Sequence, residues 1–429
     1  MRRLKRLSFI KVFLSRNIKV GKYSFLLALG SSARLGIEKL ILIPLLLQRL
    51  GENTLGGFIV ILGWVQVVGM PPSSGAGDAL MRLYGDSKKG GAWPALLTSG
   101  IVVSSLTSAI LLVTALGLYS LSGGNHRLVL DPWVLVALGS STVFLAARGA
   151  WMTAFRVEFK FGRMALIEAL HAVLLLIAIP AAYAMGLRGV ALGYFISSLL
   201  IVAVIYLFTR GLFIGQKRFD PIFAKRLILA IPPFMLASTL GLAFAQSARL
   251  VIGAFCPPSE VTVYYAAEAV LLLLGSPLGF VAATVYTFIA RRDRPEDFAK
   301  TLIGQHILAT LACSLLMFGA VRIAGPWILK FFYPPVAADA RSILKILSVA
   351  AAMNPLFVLS QGFVLRFCSY RRIMVYAGLN FTVLFALLMI WVPRQGAQGG
   401  AIAVSLANVF VAVLWFGTYL VKFFKRRPA

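Results

Sequence analysis

Three charged side chains, Arg34, Glu38 and Lys39, fall within SARLGIEKLILIPLLL (32–47), inside the first stretch of the chain apolar enough to cross a bilayer. Arg34 lies about ten residues, or roughly 15 Å, into a predicted span over 24–48, which is close to mid-membrane. A charge at that depth costs about 2.5–3.5 kcal/mol on insertion scales, so it needs a partner, a wet cavity or a route to the interface. Two chemistries meet that need. In the first, Glu38 stands one turn beyond Arg34 on the same helix face and pairs with it, the pair serving only packing, while Lys39 lies about 100° further round. In the second, Arg34 and Lys39 form an anion site that Glu38 tunes or gates. The three groups sum to one positive charge, and arginine suits the bidentate contacts that phosphate accepts.

Other ionisable groups at membrane depth extend the set. Arg249 stands in a second SARL (247–250) and either faces a cavity or snorkels to the outer interface. Glu268, after Tyr264-Tyr265, has no local partner in sequence; it reads either as a coupling carboxylate or as a partner for Arg34 or Arg249. Arg148 and Glu168 stand toward the cytoplasmic ends of neighbouring spans and are expected to pair, and Lys345 reads as a snorkelling anchor. Gln66 and Gln246 either bond between helices, as Gln305, Gln361, Asn380 and Asn408 are expected to, or touch sugars. Pro71-Pro72 and Pro232-Pro233 are candidate bending points in the second and seventh spans.

The elements that must position these residues are set by composition. With 60% hydrophobic and 13% charged residues among 429, and a mean hydropathy of +0.88, the chain is predicted to be an all-α polytopic membrane protein. Twelve apolar windows follow one another: 24–48, 55–77, 93–121, 132–155, 164–185, 188–209, 227–252, 262–290, 299–321, 342–365, 373–393 and 397–421. None alternates like a barrel strand.

The net charge of +28 is laid out by topology rather than as a nucleic-acid patch. With both termini cytoplasmic, 30 of the 42 Lys and Arg fall in inside segments and seven in outside segments, alternating loop by loop. Residues 1–22 lack an uninterrupted apolar core, so no cleavable leader is expected. Their mixture of Arg, Lys, Leu, Phe and Ile reads as a helix on the anionic leaflet or as an unstructured topogenic tail.

Catalytic signatures are missing. There is no phosphate loop, the three histidines lack ligand spacing, and Cys256, Cys313 and Cys368 are unpaired in sequence. A non-enzymatic protein without a cofactor or metal is expected, with H+ or Na+ coupling as the conceivable driving force.

A shift of 210 residues lays AFRVEFKFGRM (154–164) over VLRFCSYRRIM (364–374) and GLRGVALGYFIS (186–197) over GAQGGAIAVSLA (396–407), matching Gly186 with Gly396 and Gly189 with Gly399. A weaker overlay near 207 sets RLGENTLGGF (49–58) on CPPSEVTVYY (256–265). Two parallel six-helix halves follow, with a site at their interface typical of transporters. The expected organisation is a basic cytoplasmic tail (1–23), an N-terminal bundle (24–210), a cytoplasmic linker (211–226), a C-terminal bundle (227–422) and a second basic tail (423–429).

Twelve spans in parallel halves, the LG-x-x-x-x-G-x-F turn after the first helix (Leu50, Gly51, Gly56 or Gly57, Phe58) and the G-x-x-G-x-A runs leading into helices six and twelve resemble the polysaccharide transporters of the MOP superfamily. The closest group is the Wzx-type O-antigen flippases. The resemblance covers essentially the whole chain and implies a V-shaped pair of bundles with a cationic cavity lined mainly by helices 1, 2, 7 and 8. It implies an undecaprenyl-diphosphate-linked oligosaccharide as cargo, carried from the inner to the outer leaflet of a bacterial cytoplasmic membrane. Arg34, Lys39, Arg249, Gln66 and Gln246 would hold diphosphate and sugar, with Glu38 and Glu268 in coupling or gating. Anionic lipids, a polysaccharide polymerase and chain-length machinery are the implied partners, and nucleic acid is not. Many relatives carry an Asp in helix seven where this chain reads QSARLVIG. A multidrug or organic-cation exporter of the same superfamily is the nearest rival, and would want an acidic cavity. A membrane glycan polymerase or ligase is disfavoured by short outer connections, the longest expected over about 322–341.

Overall fold

The computed structural model describes residues 32–89, 93–121, 131–158, 160–209, 221–290 and 295–424, together with 25, 29 and 30. The predicted tail 1–23, residues 211–220 of the linker and residues 425–429 lie outside the described residues. Among the described residues all regular structure is helical. The first helix has a π-helical turn, Ile37–Leu42, leading into α1 (Ile43–Leu50). Then follow α2 (Glu52–Gly69), α3 (Pro71–Lys89), α4 (Trp93–Leu121), α5 (Pro132–Val157), α6 (Phe161–Leu175) and α7 (Ala178–Thr209). The second half comprises α8 (Pro221–Phe255), α9 (Pro258–Ala290), α10 (Pro295–Phe332), α11 (Ala337–Phe367) and α12 (Tyr370–Phe424).

Two of these runs are hairpins. The backbone reverses at Gly186 in α7 (φ 58°, ψ −134°) and at Gly396 in α12 (φ 55°, ψ −133°), a conformation that only glycine adopts without strain. The two positions are 210 residues apart. The match extends to packing: a side chain at Gly189 would collide with the Ala181 carbonyl, and one at Gly399 with the Trp391 carbonyl, again 210 residues on. With α6 continuing into the first arm of α7, and α2 into α3, the described helices make twelve apolar crossings. The chain is a multi-pass membrane protein of all-α class.

Outward faces are apolar, as lipid contact requires. Leu106, Ile110 and Val113 on α4 and Leu315, Leu316, Ile323, Trp327 and Phe331 on α10 are all exposed. The buried core runs between the halves. Near the Gly51 turn, Leu55, Phe58 and Ile59 of α2 join Val261, Tyr264 and Tyr265 of α9 in one cluster. The two turns matched at the weaker offset touch there, for Gly56 lets α2 lie on the Pro258 backbone and the Thr262 hydroxyl donates to the Glu52 carbonyl at 2.7 Å. At the other end Leu227 and Ile231 of α8 pack with Ala76 and Leu80 of α3.

Two expectations about the helices change. The break at Pro71-Pro72 is present, with α2 ending at Gly69 and α3 starting at Pro71, whereas α8 runs as one helix through Pro232-Pro233. The expected connection over 322–341 is almost wholly helical. α10 continues to Phe332, and Tyr333 with a 3-10 turn at Pro334–Val336 is all that separates it from α11. Only a break in the apolar pattern suggested a loop there, and Arg322, Lys330 and Arg341 sit on helices instead.

Candidate functional site

The site begins with a proline. Pro44 has no N–H to give to the preceding turn, and its ring crowds the carbonyl four residues back. The backbone widens to a π turn, in which the Ile43 N–H donates to the Glu38 carbonyl, five residues back. In that register the Lys39 carbonyl would look to residue 44 and find no donor. The Tyr333 hydroxyl, from the α10–α11 corner, supplies one.

The wider turn changes which charges meet. Glu38 does not pair with Arg34 as helical spacing predicts; it accepts from the neighbouring Lys39 Nζ at 2.8 Å. Adjacent residues on an ordinary α-helix do not face each other. Lys39 therefore does not point away from the site. It is buried, it donates to the Tyr265 hydroxyl, and its ammonium lies 4.6 Å from that ring's centroid.

Arg34 finds its carboxylate on another helix. Gly30 allows the first helix to lie against the Ala165 backbone of α6, and one turn further on Arg34 Nη1 meets Glu168 Oε2 at 3.3 Å. The other oxygen of Glu168 accepts from Arg148 Nη2 of α5. The expected Arg148–Glu168 pair thus exists, with Arg34 as a third member. Arg34 is the accessible one: 29% of its side chain is exposed, against 8% for Arg148.

From the second half, Arg249 Nε donates to Glu268 Oε2 at 2.5 Å and Nη1 to Gln246 Oε1 at 2.9 Å. Gln246 Nε2 in turn donates to Gln66 Oε1 of α2 at 2.9 Å, a hydrogen bond between the halves. Glu268 is therefore not a lone carboxylate, and Arg249 does not snorkel: both are buried. The Arg249 guanidinium lies 4.7 Å from the Tyr265 centroid, so one ring meets a cation from each half. Ser32 and Ser276 add a further polar contact between the halves at 3.2 Å.

Of the predicted residues, Glu38, Lys39, Gln66, Gln246, Arg249 and Glu268 are thus joined around Tyr265, and Arg34 belongs to the Arg34–Glu168–Arg148 triad within electrostatic range of Glu38. Lys345 is exposed and outside both, as an anchor would be. The other membrane amides do not all bridge helices, since Asn408 donates to the Val404 carbonyl of its own helix. Residues with no assigned role in sequence stand here too: Tyr265 and Tyr333 by hydrogen bonds, and Tyr194 and His171 within electrostatic range of Arg34. His171, three residues beyond Glu168 on the same face, was the most discoverable of these. Four cations oppose three carboxylates within the network, so one positive charge is left over. Such a site favours an anion, and it lies between the halves with contributions from α5 and α6 as well as from the helices named by the resemblance.

This architecture is the fold of MATE and MOP superfamily transporters. Over 96% of this chain and 97% of the other, it matches an outward-facing multidrug-resistance MATE transporter of the MOP superfamily at a TM-score of 0.71 and 17% identity. It matches a MOP superfamily transporter from Pyrococcus furiosus, described as having a binding pocket of reverse polarity that suggests a different function, over 96% of each chain at a TM-score of 0.73 and 16% identity. A MATE crystallised in complex with Br-NRF matches 95% of this chain and 96% of its own at a TM-score of 0.66 and 17% identity. No protein-family model and no curated protein sequence matches the chain.

Proposed function

We propose that the protein is a non-enzymatic flippase that moves an undecaprenyl-diphosphate-linked oligosaccharide, an O-antigen or other surface repeat unit, from the inner to the outer leaflet of a bacterial cytoplasmic membrane. The observation that carries this reading is the buried network with its excess positive charge between two halves of a transporter fold. Arg34, Lys39 and Arg249 hold the diphosphate, Gln66 and Gln246 meet the sugars, and the prenyl chain stays in lipid. Glu38 and Glu268 neutralise Lys39 and Arg249 between substrates, which gives them a gating role and leaves H+ or Na+ as the candidate driving ion. Binding energy expressed differently in the two orientations is what shifts the halves. Both termini and the basic loops face the cytoplasm on this reading.

One observation favours a second reading: solved neighbours include multidrug transporters, and three carboxylates line this site, so an organic-cation exporter also fits the fold. The deciding experiment deletes the gene in its host and asks in which leaflet the lipid-linked glycan accumulates, then repeats the assay with Arg34→Ala and Arg34→Lys. Accumulation on the cytoplasmic side, rescued by the native chain and by neither variant although both insert, supports the flippase. Normal delivery without a redundant flippase, together with efflux of organic cations by the native chain, overturns it.

A further inference from the structure

The carboxylate of Glu168 is the one anion of a doubly cationic seat. It lies between two guanidinium groups, each oxygen accepting from a different arginine, Arg34 and Arg148. Both arginines keep a buried Nε–H with no partner. Around them are two more buried polar groups without partners: both ring nitrogens of His171, which is 2% exposed, and the Tyr194 hydroxyl. His171 lies within electrostatic range of Arg34 and Arg148, and Tyr194 within range of Arg34 and Glu38. Buried polar groups are nearly always satisfied, so five unpaired atoms on and near the two arginines need an explanation. The place is open on the side of Arg34 and closed on that of Arg148.

A single carboxylate offers these donors two oxygens and one negative charge. A phosphoryl group offers three oxygens and up to two charges, which suits two arginines with spare N–H groups. Glu168 cannot leave the site, being on α6, but its side chain can turn along the helix. His171 stands three residues away on the same face, within reach of such a turn, and neither of its ring nitrogens is engaged.

We propose that Glu168 is an internal stand-in for a substrate phosphoryl group, held between Arg34 and Arg148, and that it gives up this seat to the ligand by turning to His171. Tyr194 completes the seat by donating to the incoming anion. The proposal deepens the flippase reading and rests on it for the identity of the occupant, a diphosphate headgroup; free inorganic diphosphate shares the same chemistry. Its consequence is competition: the native carboxylate keeps affinity low enough for release and holds the two arginines in place when the seat is not in use.

The test is isothermal titration of the purified full chain in detergent with inorganic diphosphate and, separately, with a water-soluble short-chain prenyl diphosphate. Glu168→Gln removes the competing charge, and it should tighten binding by about tenfold, within the usual range of coupling between sites. His171→Leu removes the alternative partner; it should weaken binding by a similar factor in the native background and have no effect beside Glu168→Gln, the signature of two residues acting through one exchange. Should Glu168→Gln not fold, Glu168→Asp, which withdraws the carboxylate from the arginines, must shift affinity in the same direction. Weaker or unchanged binding in the Glu168 variants, or an equal effect of His171→Leu in both backgrounds, overturns the proposal. Tightening for inorganic diphosphate alone supports the seat with a free anion as its occupant. Transport in proteoliposomes is scored separately: tightening without movement of lipid-linked oligosaccharide retains the seat and rejects the flippase, and movement without tightening does the reverse.

Discussion

Replacing Glu268 by leucine removes one partner of a buried ion pair and leaves the other in place. Arg249 Nε is 2.5 Å from Glu268 Oε2, and the side chains are only 8% and 12% exposed. Breaking such a pair from one side typically costs about 3–5 kcal/mol, because the surviving charge remains buried without compensation. Arg249 would keep two other contacts, Gln246 Oε1 at 2.9 Å and the Tyr265 face at 4.7 Å, the latter worth about 0.5–2 kcal/mol. The expected loss therefore falls near the lower edge, about 3 kcal/mol, or roughly two orders of magnitude in the unfolding equilibrium. Adding Arg249→Met removes the stranded cation with a side chain of similar length, and most of the loss should return. Thermal unfolding in detergent, followed by tryptophan fluorescence, measures both variants. A lone titrating carboxylate makes the opposite prediction, since deleting an isolated buried acid relieves its desolvation. A neutral or stabilising Glu268→Leu, or a double variant no better than the single, would refute the pairing.

Two further outcomes concern the turns. Gly396→Ala and Gly186→Ala both put a side chain at positive φ and should each cost about 1–3 kcal/mol. Gly396→Ala should be the worse, because its Cβ would also come within 3.0 Å of Glu260 Oε2, whereas Gly186 has open space; unfolding midpoints in detergent give the order. Asp131 caps α5 through the Trp133 N–H at 3.0 Å and pairs with Arg188 at 2.6 Å, and these contacts hold its carboxyl below the usual carboxylate value. A lowered native pKa contributes stability that is complete above the unfolded value of about 3.9 and is lost as pH falls through the native one. Asp131→Ala should thus unfold at a lower temperature than the native chain from pH 7 to 5, with the difference closing below about pH 4; a difference that persists in acid would point to the side chain's packing instead.

Helix count and the presence of charged residues at membrane depth were legible because each follows from a local or periodic property. Apolar length marks a span, and a charge inside one must be accommodated. The 210-residue offset likewise named the two glycines that share a reversed backbone. Partners were not legible, because they depend on register and on contacts distant in sequence. Pairing Arg34 with Glu38 assumed 3.6 residues per turn, and Pro44 breaks that assumption just where it mattered. A proline six residues after the acid was a readable warning. Arg34 with Glu168, or Lys39 with Tyr265, spans 134 and 226 residues, and nothing in periodicity selects one distant partner over another. Tyr333 had no signal of its own, since its hydroxyl meets the Lys39 carbonyl 294 residues away.

The repeat also bears on why the charges are there. At the offset that overlays the first turns, Arg34 and Glu38 correspond to Gly241 and Ala245; at 210, Arg148 and Glu168 correspond to Val358 and Gly378. In the reverse direction Arg249 and Glu268 correspond to Leu42 and Ile61. The two halves thus share their hairpins, down to the same backbone angles at Gly186 and Gly396, and at 210 Lys39 falls on Arg249, but the Arg34–Glu168–Arg148 triad has no counterpart. If the Arg34–Glu168–Arg148 triad were needed to pack the first, fourth and fifth crossings, the corresponding crossings of the second half would need a substitute, and they use small and apolar residues instead. Buried ion pairs of this kind seldom stabilise a fold more than apolar side chains of the same volume would. Packing therefore does not account for keeping the Arg34–Glu168–Arg148 triad in one half only. An anionic ligand, as proposed above, does, because it needs cations where the ligand lies and not where the repeat would duplicate them.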